Sequence, residues 1–140
     1  MYWNAKNVYK EKLSGVADLI VTPEMWQIQF IFQGPDGRHN PTFVYIASNE
    51  IDKYIIGLRD AWLEFKKLTA QVPKGTEVKK TMPPNLTVMV GGFGGYFNGV
   101  CLTPYTRPII TTEQDLIQVV ASFEHSKNRA AQAKQFLAGL

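Results

Sequence analysis

Ile51, Tyr54, Ile55, Leu58, Trp62, Phe65, Leu68 and Val72 recur at steps of three and four, and no other feature constrains this chain as much. The spacing predicts one long amphipathic helix. Ser48, with Glu50 behind it, supplies a start signal, and Pro73 and Gly75 supply the stop. Asp60, Glu64 and Lys67 fall on another face, where Glu64 and Lys67 are spaced to pair. An apolar stripe of this length requires a surface to cover it.

That surface is offered upstream. In MWQIQFIFQ, Trp26, Ile28, Phe30 and Phe32 alternate with Gln27, Gln29, Ile31 and Gln33. Period two predicts a half-buried strand with one apolar face. Loop residues come next in GPDGRHNP, and TFVYIAS then reads as a second strand over 42–47, antiparallel to the first. The expectation is that the helix after Ser48 packs on the Trp26–Phe32 face. At about 1.5–3 kcal/mol per large side chain buried, this contact would be a main source of stability. The first fifteen residues admit two readings. One is a short helix capped by Asn4 and ended by Gly15; the other pairs 8–13 with 17–22 across Ser14-Gly15. Strands are favoured, because Lys10, Glu11 and Lys12 leave no helical stripe.

The second half opens with a polar stretch, 76–81, and Pro83-Pro84. LTVMV at 86–90 reads as a strand, as does NGVCLT at 98–103. Pro104 and Pro108 keep the next segment irregular or at a sheet edge. Thr112 with Asp115 resembles a capping box, and Leu116, Val119, Val120 and Phe123 mark a second helix. Its stripe turns polar over 125–128 and resumes at Ala130, Ala133, Phe136 and Leu137, so continuity and a break both stay open. The fold class is α+β: a strongly curved antiparallel sheet on two main helices, in strand–helix–strand–helix order. With 140 residues, 45% apolar and 19% charged, the chain suits one domain over 1–140 with a real core. The stretch from Pro73 to Pro84 is the best linker candidate.

VGGFGGYFNG, 90–99, carries five glycines and three rings. It fails as a phosphate cradle. Phe97 stands where a dinucleotide fingerprint needs its third glycine, and Val100 where a P-loop needs lysine. A strand comes after it, so no helix N-terminus faces the loop. Asn98-Gly99 suits a two-residue turn, with the earlier glycines inside a bent strand. The same residues carry a functional reading. Phe93, Tyr96 and Tyr105 could present rings to unpaired bases, while Lys66, Lys67, Lys74, Lys79, Lys80 and Arg107 neutralise phosphates. Those five lysines meet only Glu77 between 66 and 80, so this segment alone carries +4 and the rest of the chain is nearly neutral.

Other chemistry is thin. Only His39 and His125 are present, without a cysteine cluster, so neither a metal site nor a cofactor is expected. Cys101 is the only cysteine, which forbids an internal disulfide, and it reads as buried; pairing with His125 or His39 as a nucleophile is a minor alternative. No run approaches the roughly 20 apolar residues of a membrane helix, and MYWNAKNVYK lacks a signal pattern, so the expected location is cytoplasmic. The leading expectation is a non-catalytic binding module for single-stranded nucleic acid. A protein-interaction or homo-oligomeric module comes next, suggested by Trp3, Trp26 and Trp62 with an apolar N-terminus, and a small-molecule domain or enzyme last.

Overall fold

The structure, a computed structural model, describes residues 6–33, 41–91 and 98–140. Among these, strands and helices run in the order β1 (Tyr9–Lys12), β2 (Ala17–Val21), β3 (Trp26–Phe32), β4 (Thr42–Ala47), α1 (Ile51–Gln71), β5 (Val78–Met82), β6 (Leu86–Val90), β7 (Gly99–Cys101), β8 (Pro108–Ile110) and α2 (Glu113–Ala138). The α+β class, the antiparallel pairing and the strand–helix–strand–helix order are those the sequence predicts. The strands divide into two four-stranded sheets, ordered β1-β2-β3-β4 and β5-β6-β7-β8. The chain makes two compact units. One is Met1–Ile51 with Ser122–Leu140, the other Asp52–Ala121.

In the first unit, β1 pairs with β2 across Ser14-Gly15, so strands and not a helix occupy this segment. Register places Tyr9, Glu11, Leu19, Val21, Trp26, Ile28, Phe30, Val44 and Ile46 on one face. That face meets α2. Leu19 and Val21 form one buried cluster with Ala130, Ala133 and Leu137, against which Tyr9, Leu13 and Trp26 pack. The Phe30 and Phe123 rings meet edge-on with centroids 6.2 Å apart. The expectation that α1 covers the Trp26–Phe32 face is therefore corrected: α1 from Asp52 onward belongs to the other unit. An amphipathic stripe states that a face must be covered, not by which partner. The second helix is continuous through His125–Asn128. Ser126 is fully buried, and its hydroxyl donates to the Ser122 carbonyl at 2.8 Å, which satisfies it within the helix.

In the second unit, Lys80, Val88, Val100 and Ile110 form one cross-strand row. Val88, Val100 and Ile110 are buried, as are Leu86 and Val90 on the same face. The Lys80 ammonium lies 3.0 Å from the Glu64 carboxylate, which places α1 over this face. α1 buries Tyr54, Ile55, Leu58, Ala61 and Trp62. A Cβ on Gly57 would sit 2.4 Å from the Pro83 carbonyl oxygen and 2.7 Å from the Pro84 ring, so only glycine lets the β5–β6 turn come this close. Ser48 does not cap α1; a 3-10 turn over Ser48–Glu50 leads in without a side-chain cap bond. Thr112 and Asp115 do form their capping box. The Thr112 hydroxyl accepts from the Asp115 N–H at 3.1 Å, and the Asp115 carboxylate accepts from the Thr111 N–H at 3.0 Å and the Thr112 N–H at 3.3 Å. The linker candidate, Pro73 to Pro84, lies inside this unit and contains β5.

The predicted two-residue turn at Asn98-Gly99 is not formed. Gly99 already pairs with Met89 in β7, and Asn98 Oδ1 accepts the Gly91 N–H at 2.5 Å, across a longer connection. Gly99 has φ +143°, and a Cβ there would lie 2.3 Å from the Ile110 carbonyl oxygen of β8. Close strand approach, rather than a hairpin turn, is what demands glycine at this position.

Candidate functional site

The residues expected to bind nucleic acid fall in the second unit, and the structure brings only some of them together. Lys66 and Lys67 are exposed on the last turns of α1, and Lys74 is exposed just beyond it. Lys79 and Lys80 are adjacent in β5 and so point to opposite faces. Lys80 is bound to Glu64, whose carboxyl is held below its ordinary value first by that bond and also by the charges of Lys80 and Lys67. Lys79 lies on the other face, in register with Met89 and Gly99. Tyr105 is 87% exposed in the β7–β8 connection, and Arg107 is exposed beside it. That connection and Lys79 lie toward opposite edges of the sheet. Phe93 and Tyr96 lie outside the described residues, as do His39, the 34–40 loop and Trp3.

Cys101 is fully buried, with its sulfur 3.6 Å from the Met89 sulfur. Burial pushes its thiol up to about 11, so almost no thiolate exists at neutral pH. His125 is engaged elsewhere. Its Nε2 lies 2.6 Å from Glu11 Oε2 in the first unit. The Tyr9 hydroxyl donates to the other Glu11 oxygen, and Arg129 Nε lies 3.2 Å from that oxygen in an ionic contact not aligned as a hydrogen bond. These partners hold the Glu11 carboxyl below its ordinary value, the Tyr9 bond most of all. The cluster fastens α2 to β1. Among the described residues no group of three or more His, Cys, Asp or Glu side chains could hold a metal. None of the described helices is long and apolar enough to cross a membrane.

The first sheet presents a feature that sequence reasoning missed. Its face opposite α2 carries Lys10 and Lys12 on β1, Asp18 and Ile20 on β2, Gln27, Gln29 and Ile31 on β3, and Phe43 and Tyr45 on β4. Phe43 and Tyr45 are 46% and 45% exposed. Their rings are parallel to within 8°, with centroids 6.4 Å apart. That spacing is close to the roughly 6.6–6.8 Å that separates alternate residues of a strand. Two large rings thus stand side by side, half-exposed, on the β4 edge of this face, whose inner strands are covered, with Ile20 2% and Asp18 9% exposed. Gln29, the cross-strand neighbour of Tyr45, is 2% exposed, and its amide oxygen has no hydrogen-bond donor among the described residues. Across the sheet, Lys10 reaches Asp18 at 3.7 Å, and Lys12 is exposed. The sequence signal for this pair is the alternation in TFVYIAS, which places Phe43 and Tyr45 on one face. It does not say which face is outward. Comparison with protein-family models, with curated proteins and with solved structures finds no match.

Proposed function

We propose that this protein is a non-catalytic, cytoplasmic binding module for single-stranded nucleic acid, with the β4 edge of the first sheet as its stacking surface. One observation carries this reading: the parallel, half-exposed rings of Phe43 and Tyr45 side by side on the edge strand β4. Every base has a ring face, so a pair of fixed aromatic side chains holds unpaired bases with little regard to sequence. Lys10 and Lys12, exposed on the opposite edge strand β1, supply phosphate contacts. Lys66, Lys67, Lys74, Lys79 and Arg107, exposed in the second unit, add longer-range attraction, and Tyr105 offers a further ring. Duplex is disfavoured, because its bases are already stacked.

The test is fluorescence anisotropy with a labelled oligothymidylate at a series of salt concentrations. Binding should weaken steeply as salt rises. Phe43→Ala and Tyr45→Ala should each lower affinity by roughly 5- to 150-fold, equivalent to about 1–3 kcal/mol per stacked base, with an unchanged salt slope. Lys10→Ala and Lys12→Ala should instead flatten that slope. Absence of binding at low salt, or full affinity in the Phe43→Ala/Tyr45→Ala double variant, overturns the proposal.

A further inference from the structure

The second unit carries a depression of about 350 Å³ between α1 and the β5–β6 turn. Ile56 and Gly57 line it from the helix, Met82, Pro83 and Pro84 from the turn, and Lys53 and Asp60 stand at its rim. A cavity of roughly 150 Å³ suffices for a benzene ring, so this one has room for apolar side chains. It exists because Gly57 admits the proline turn against the helix. Ile56 is itself 61% exposed, so an apolar side chain stands out at the edge of an apolar hollow. Lys53 and Asp60 are exposed and have no ion-pair partner among the described residues. They lie two turns apart on one helix face, roughly 10.5 Å along the axis, which is too far to pair with each other.

We infer that this groove is a contact between two copies of the chain, related by a two-fold axis passing α1 between Ile56 and Gly57. A two-fold contact joins a surface to itself, so the surface must contain its own complement. This one does. Antiparallel apposition about that point sets Lys53 against Asp60 of the second copy, and Asp60 against Lys53. The same operation carries each Ile56 to the hollow of the other copy, beside Gly57 and the proline turn. The charges fix the direction. A parallel arrangement in register would set lysine against lysine and aspartate against aspartate, which is repulsive. The proposal does not rest on nucleic-acid binding, whose proposed stacking rings Phe43 and Tyr45 lie in the other unit.

Sedimentation velocity at about 1–200 μM tests it, with circular dichroism as a check on folding. The wild-type chain should dimerise within this range, and Ile56→Glu should remain monomeric. Lys53→Asp and Asp60→Lys should each weaken dimerisation about tenfold or more, since each creates two like-charge contacts. The variant with both reversals should regain the wild-type affinity to within a few-fold, a recovery that loss of folding could not produce. A wild-type monomer throughout the range overturns the inference. So does a dimer indifferent to Ile56→Glu, or a double reversal no better than the singles, because association would then use another surface, a heterologous partner or a small ligand.

Discussion

Gln29 sits on an inner strand of the first sheet, 2% exposed, with an amide oxygen that no donor among the described residues reaches. A buried acceptor left unpaired costs stability, so an apolar side chain of similar size should fit at least as well. Gln29→Leu should leave the unfolding free energy unchanged or raise it by up to about 1 kcal/mol. A thermal melt checks this, and a clear loss would mean that the amide has a partner in solution. In the sequence, Gln29 is one of the polar residues alternating with Trp26, Ile28, Phe30 and Phe32. Period two separates two faces but does not report how deeply the polar one is covered. Phe43 and Tyr45 show the converse, since rings on a strand are read as core by default.

At the scale of elements, α1 and β3 were legible because their apolar periods are long and unmixed. β5 was not. Val78-Lys79-Lys80-Thr81-Met82 has apolar residues only at its ends and lies at a sheet edge, where lysine protects against unwanted pairing. The continuity of α2 was hidden for another reason: between Phe123 and Leu137 its buried side uses Ser126, Ala130 and Ala133, small residues that make no apolar stripe. What fastens this helix to β1 is the Glu11 cluster with Tyr9, His125 and Arg129. Glu11 releases its proton more readily in the folded chain than at its ordinary 4.5. The folded state is therefore favoured above that pH, and the contribution fades as pH falls from about 4.5 through the lower folded value. Asp115, held down chiefly by the Thr111 N–H together with the Thr111 and Thr112 groups around it, acts in the same direction. Urea melts from pH 7 to pH 3 should show stability falling below about pH 4.5, and Glu11→Gln should flatten that fall. At pH 7 the Gln variant should lose about 1 kcal/mol or less, as befits a partly exposed ion cluster. A pH profile identical to that of the wild type would remove Glu11 from the account.

For the whole molecule, the first compact unit draws on two distant stretches of chain, whereas the second is continuous. The first sheet ends at Ala47, yet the helix that covers it begins its contribution at Ser122. This could not be read from the sequence, because both helices are amphipathic and either would satisfy a half-apolar sheet. Removing 122–140 should therefore harm the far end of the chain. Without it, Leu19, Val21 and Phe30 lose Phe123, Ala130, Ala133 and Leu137. Burial of Phe123 and Leu137 alone represents about 3–6 kcal/mol, a large share of the stability of an ordinary domain. Limited proteolysis of the truncated chain should cut within 9–32 and 42–47, where the full chain should resist. Protection of that region after truncation would overturn the assignment of its cover.

The same arrangement sets a timetable for biosynthesis. Roughly 70 residues must be added between the last strand of the first sheet and the start of its cover, which at about 5–20 residues per second takes roughly 4–15 s. For that interval the nascent chain displays Leu19, Val21, Phe30 and their neighbours to whatever surrounds the ribosome, a window in which a holding chaperone would find its substrate.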